Sequence, residues 1–234
     1  MTRDSVPMPA SSLNPATLFL GLEPDVALAR LVLEYKERVH ALVGPQTFLD
    51  HAPHLTLYLA AFGDVAAVLT AAEALAASTA PIAVRVEGWH VFWADQLTGS
   101  HTLVLKLDAA AVVSLRALQA RAIGILAPLR AAAESASRYD DRREYLSPNE
   151  QASIDRTGFP YTGEHWHPHV TIASIAADDW PAIARELLTE SPRLAAMVPT
   201  LTCYRIDDEQ PAPFGSFALG RVGAASRDTS PLAL

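Results

Sequence analysis

The feature that most constrains this chain is a repeat. His54-Leu55-Thr56-Leu57 and His169-Val170-Thr171-Ile172 lie 115 positions apart; each follows a proline, Pro53 or Pro168, and each opens an apolar run. Ten positions beyond either histidine stands an aspartate, Asp64 or Asp179. At 28 positions on, Ile82 begins the next apolar run, and Met197 stands just before its counterpart. At 47 positions on are His101 and Ser216, each in a further such run. Upstream, TLFLGLEPD from Thr17 resembles TLVLKLDAA from Thr102, an offset of 85. The 30 extra positions before the second tetrad are close to the length of an irregular segment there, 134–168. The chain therefore reads as one strand–helix–strand–helix–strand unit used twice with a shared middle strand. Duplicated units pack about an approximate two-fold axis, which predicts two tetrads facing each other across a cleft.

The periodicities fill in the elements. Thr17–Leu22 reads as a strand, followed by a helix opened by Glu23 and Pro24, with Leu28, Leu31, Val32, Tyr35 and Val39 as its stripe and Gly44-Pro45 as its stop. The first tetrad strand is followed by a helix from Asp64 to about Ala77. Two strands come next, Ile82–Trp93 with a bend at Gly88, then His101–Leu107. Asp108 caps a helix expected to run to about Ala133. Segment 134–168 has four arginines, three aspartates and no clear period, and reads as a functional loop. A helix from Pro181 to about Glu190 and strands over Val198–Asp207 and Phe214–Val222 complete the unit. The reading is one bilobal domain over 17–222, with flexible ends at 1–16 and 223–234.

Composition narrows the partners. A formal charge of −8 argues against a long duplex nucleic acid, whose affinity comes mostly from basic contacts with phosphates, but it leaves room for a mononucleotide or an RNA end. Cys203 is the only cysteine, which excludes an intramolecular disulfide and a cysteine-based zinc site; its apolar surroundings predict a buried thiol. Residues 1–16 lack the apolar core of a signal peptide, and no stretch reads as about 18 consecutive apolar residues, so no membrane contact and a cytoplasmic location are expected.

On a strand, residues i and i+2 share a face. His54 with Thr56, and His169 with Thr171, would each present an imidazole and a hydroxyl on one side, with the apolar residues behind. A single His-x-Thr arises by chance about 0.5 times in a chain of this composition, so the weight lies on the pair in repeat register. An imidazole titrates near pH ~6.5 and serves as base or acid at neutral pH. Two opposed imidazoles suit a phosphodiester, whose attacking and leaving oxygens lie on opposite sides of phosphorus. The threonine hydroxyls would then meet the non-bridging oxygens.

With these residues in place, the chain resembles the two-histidine (2H) phosphoesterase superfamily, which includes the 2′-5′ RNA ligase-like proteins and RNA 2′,3′-cyclic phosphodiesterases. The likeness spans about Thr17 to Val222 and is sharpest at HLTL and HVTI. It implies an α+β bilobal fold with two antiparallel sheets flanking a cleft and helices outside. It implies catalysis without metal or cofactor, His54 and His169 as the acid–base pair, and Thr56 and Thr171 as phosphate binders. The substrate implied is a nucleotide or RNA-end phosphodiester, with 2′,3′-cyclic phosphate favoured. Many members carry a basic residue two positions after the tetrad threonine; here Tyr58 and Ala173 stand there, and the insertion is longer than expected. Both departures bear on the substrate.

Other readings stay open. Tyr58, Tyr161 and Trp166 are candidates for lining the cleft, the last two by stacking on a base or by packing the insertion onto a lobe. His165, His167 and His169 would share a face if they lay on a strand, a three-histidine zinc arrangement. Arg138, Arg142 and Arg143 could meet a phosphate or form a solvated face. The cleft could also bind a nucleotide or phosphorylated metabolite without turnover, or support a 2′-5′ RNA ligase or 2′,5′-phosphodiesterase reaction. Oligomeric state is not legible.

Overall fold

In the computed structural model, residues 14–207 and 210–220 are described. Most of the two expected flexible ends, and the last two residues of the expected final strand, lie outside them. The chain begins with strand β1 (Ala16–Glu23), helix α1 (Val26–Val43), β2 (Leu55–Phe62), α2 (Val65–Ala77), β3 (Ile82–Phe92) and β4 (His101–Leu107). It continues through α3 (Ala109–Leu126), α4 (Ala132–Ser137), α5 (Pro148–Thr157), β5 (His169–Ile175), α6 (Trp180–Leu187), β6 (Arg193–Val198), β7 (Thr200–Asp207) and β8 (Gln210–Ala218). Two antiparallel four-stranded sheets result, in the orders β2-β1-β7-β8 and β5-β4-β3-β6. Each tetrad strand is thus the first strand of its sheet, beside the strand that opens its own unit.

Helix starts follow local chemistry. Asp25, Asp64 and Asp108 cap α1, α2 and α3, each accepting a hydrogen bond from the backbone three residues on. Asp25 and Asp108 do more. The other oxygen of Asp25 accepts from Met197 N (2.7 Å), and Asp108 Oδ1 accepts from Arg85 N (2.8 Å), so each cap also fastens its helix to a strand. These two aspartates are 83 positions apart. So are Gly21 and Val104, which pair with Thr56 and Thr171. The structural repeat in the upstream portion is therefore offset by 83, two residues from the best match of letters.

The helices interlock the halves. Helix α1 packs on β5 and β6, while α3 packs on β2 and β3. Tyr35 of α1 meets Trp89 of β3 edge-on at 4.6 Å. Each tetrad strand is backed by the helix of the opposite half, and one continuous core joins the two sheets. Leu18, Leu20 and Leu22 of β1 are fully buried in it, each worth about 1.5–3 kcal/mol relative to exposure. Cys203 is fully buried as expected, and burial pushes its thiol up to about 12. Helix α3, extended to Leu129 and with a mean hydropathy of 1.4, is by length and composition long and apolar enough to cross a membrane, although Ser114, Arg116, Gln119 and Arg121 interrupt its apolar run. Here that helix lies on strands, burying Leu115, Leu118, Ala122 and Leu126.

Segment 134–168 is largely helical, not an irregular loop. Helix α5 has a full capping box, Ser147 with Glu150, and ends at Gly158 in the left-handed conformation. The helix after Asp108 stops at Leu126, before Pro128, and not near Ala133. Strand β6 was not foreseen; it pairs with β3 over Ile82–Glu87. The outer edges of the tetrad strands are occupied as well. Ser174 N donates to Thr47 O (2.9 Å), and Ala61 exchanges bonds with Ala131 and Ser135, which removes two open templates for strand addition.

A bulge falls at the same place in both tetrad strands. The register of β2 shifts between Thr56 and Tyr58, and that of β5 between Thr171 and Ala173, so Leu57 and Ile172 are the extra residues. The carbonyl of Leu57 is taken by Gln119 of α3 (3.0 Å), a fully buried side chain that also donates to Tyr161 O and accepts from Gly163 N, both at 3.0 Å. Gln119→Leu would strand all three backbone groups, each costing about 1–3 kcal/mol. We expect urea unfolding to show a loss of at least about 3 kcal/mol; wild-type stability in that variant would show the tie to be dispensable.

Candidate active site

The two tetrad histidines are held alike. His54 Nδ1 lies 2.7 Å from Ala52 O, and His169 Nδ1 lies 2.6 Å from His167 O. A carbonyl can only accept, so both Nδ1 atoms carry hydrogen and both neutral rings keep their lone pair on Nε2. The prolines stand between each histidine and its carbonyl. Among the described residues neither Nε2 has a protein partner, and neither does the hydroxyl of Thr56 or Thr171. All four side chains are partly exposed.

The loops supplying those carbonyls are fixed from the helices. Lys36 of α1, 5% exposed, donates to the carbonyls of Phe48, Leu49 and His51. Burial pulls that ammonium down to about 8. In the other half, Arg116 of α3 donates to Glu164 O (2.9 Å) and Trp166 O (3.1 Å).

Aromatic rings form the surroundings. Phe19 and Tyr204 stack at 4.6 Å, and both lie against the His54 ring, at 5.1 and 5.6 Å. Gly21 makes room for them, because a Cβ there would sit 2.8 Å from the Tyr204 ring. Phe92 lies 5.0 Å from the His169 ring, with His90 and His167 around it. Burial pushes His54 down to about 4; its bond to Ala52 opposes this, and His51, Lys36 and His169 add to it. His169 is likewise lowered, by burial first, then by His90 and His167 against the opposing His167 carbonyl and Asp95. The structure thus brings the tetrads within electrostatic reach, and β2 and β5 touch. Both imidazoles are neutral near pH 7 in the free protein.

The remaining candidates fall elsewhere. Tyr58 is fully buried with its hydroxyl on Thr157 O. Strict alternation puts it beside Thr56, but the bulge at Leu57 turns it to the helix-covered face, opposite Leu20. Trp166 is 4% exposed and part of the core, so it does not line the cleft. Tyr161 is half-buried, packs edge-on against Phe159 and leans on the core, and burial first, then Asp95, raises its phenol. His165 lies in a 3-10 turn and the strand starts only at His169, so the three histidines do not share a strand face; among the described residues no three His, Cys, Asp or Glu side chains are grouped to hold a metal. Arg138 and Arg142 are exposed, and Arg143 pairs with Asp155. Phe19, Tyr204, His90 and Phe92 escaped the sequence reading, since only the pairing of strands brings them beside the tetrads.

The sequence model of the 2′-5′ RNA ligase superfamily matches residues 24–210. No curated protein matches. Among solved structures, TT0787 of Thermus thermophilus shares 19% identity with a TM-score of 0.51, over 87% of this chain and 98% of that one. E. coli LigT complexed with 3′-AMP shares 14% over 89% and 100% (TM-score 0.46), and Kluyveromyces marxianus Usb1 shares 17% over 83% and 95% (TM-score 0.41). The family match runs through both tetrads and strands of both sheets, and this chain belongs to the 2′-5′ RNA ligase superfamily.

Proposed function

We propose that this protein is a metal-independent phosphodiesterase that opens a cyclic phosphodiester on a nucleotide or RNA end, with 2′,3′-cyclic phosphate favoured. His54 and His169 serve as general base and general acid, and Thr56 and Thr171 bind the phosphate. The observation that carries this reading is the matched pair of Nδ1–carbonyl bonds, with two Nε2 atoms and two hydroxyls left without protein partners among the described residues.

One neutral Nε2 takes a proton from water as its oxygen bonds to phosphorus. The other imidazole, protonated, gives its proton to the departing ribose oxygen as that P–O bond breaks. The hydroxyls donate to the non-bridging oxygens, where charge builds. The protonated ring is disfavoured in the free protein, so the anionic substrate itself restores the missing proton by raising the imidazole it approaches. With a ribose hydroxyl of a second strand in place of water, the same steps join two strands: that hydroxyl gives its proton to the neutral Nε2 and bonds to phosphorus as the P–O bond to the departing ribose oxygen breaks. That ligase, or a 2′,5′-phosphodiesterase, is the second reading, favoured by the name of the matching family.

His54→Ala and His169→Ala should each lower kcat/KM for a nucleoside 2′,3′-cyclic phosphate by about 10²–10⁴ without loss of fold, and chelators should change nothing. Normal rates in both variants would end the catalytic reading, and saturable binding without product in the wild type would favour a binding module. The pH profile has a definite sign. Because both imidazoles are lowered, kcat/KM should already be falling as pH rises through about 6.5, while the basic limb of kcat sits at higher pH because the bound anion restores the charge. A kcat/KM flat from about pH 5 to about 9 would contradict the paired-imidazole scheme.

A further inference from the structure

The two halves match in their tetrads but not in their charge. Lys106 of β4 pairs directly across from His169, on the same face of the sheet. On the other sheet, Leu22 pairs with Leu55, so the position one step out, opposite His54, belongs to Glu23. These residues are 83 positions apart, the offset of the structural repeat. Glu23 is held by the Tyr204 hydroxyl (2.7 Å). Lys106 is exposed and, among the described residues, forms no ion pair.

Two more donors accompany Lys106. His90 pairs with Val104, the partner of Thr171, and so shares the face of that threonine. Its ring lies 6.4 Å from that of His167 and 4.6 Å from Phe92, which packs against His169. His90 and His167 are both exposed, and His167 and Lys106 both act on the charge of His90. The nearest carboxylate felt by His169, that of Asp95, is engaged with Leu97 N and the Thr102 hydroxyl. The result is an ammonium and two imidazoles beside one tetrad, in a chain of net charge −8, facing a carboxylate beside the other.

The geometry points to a second anion subsite formed by Lys106, His90 and His167, which takes an additional phosphate group of the substrate and orients it with its more anionic end over His169. It goes beyond the phosphodiesterase reading by naming the substrate class, a phosphodiester carrying a second phosphate, and rests on that reading only for the position of the scissile group. The subsite breaks the symmetry of the acid–base pair: the end of the substrate beside His54 meets Glu23 and bears hydroxyls, not phosphate.

Binding and turnover separate the two claims. Calorimetry should show adenosine 2′,5′-bisphosphate binding at least about tenfold tighter than adenosine 2′-monophosphate, the gain expected from one charge-assisted contact. The imidazole resonances of His90 and His167 should shift only with the bisphosphate. Lys106→Gln should bring the two affinities close together, and Glu23→Gln should keep the preference. Equal affinities in the wild type, no binding of either compound, or an undiminished preference in Lys106→Gln would overturn the subsite. In parallel, turnover of adenosine 2′,3′-cyclic phosphate is compared with that of its 5′-phosphorylated form. A retained bisphosphate preference with neither cyclic compound hydrolysed would keep the subsite and overturn the phosphodiesterase reading.

Discussion

Two backbone carbonyls, those of Ala52 and His167, decide what the tetrad imidazoles can do. By taking the hydrogen of Nδ1 they leave Nε2 as the nitrogen of each ring with a free lone pair. Everything around them keeps those carbonyls in place. Lys36 and Arg116 reach from α1 and α3 to the loops that carry them, and both use cationic donors on carbonyl acceptors. Charge-assisted bonds of this kind are about twice as strong as neutral ones, so the loops are held more firmly than their lack of regular structure suggests. A lysine buried without a carboxylate partner is costly in itself; three oxygens from one loop offset the cost and define that loop.

The bulges do the matching work inside the sheets. An extra residue directly after each tetrad threonine ends the alternation that placed histidine and threonine together. Beyond it the strand turns its side chains back toward the helices, and the polar face stays short. Packing the rings of Phe19, Tyr204 and Phe92 beside that face strips water from the imidazoles, and burial lowers both.

Much of this was legible in the letters. Tetrad strands announce themselves through period-two alternation, and two helix starts through Asp64 and Asp108; the first helix was expected to open at Glu23 and Pro24, whereas Glu23 ends β1 and Asp25 is the cap. Tyr58 was misplaced because a bulge has no letter of its own; it shows only when β2 is laid against β1. The helix α5 was overlooked although Ser147, Pro148, Glu150 and Gly158 mark both its ends, because its short stripe is masked by polar neighbours. Strand β6 hid because its partner, β3, comes from the other half of the chain. Glu23 and Lys106 stood in plain view, yet their relation to the histidines is a fact of register, and the offset of 85 suggested by the letters would have paired Glu23 with Asp108.

The exchange of helices between the halves has one more consequence. A single unit, alone, would hold a helix with no strand to cover and a reactive strand with no support. It becomes complete only by trading with a second copy of itself. Joining both copies in one chain makes the trading partner permanently available, at an effective concentration that dilution does not lower.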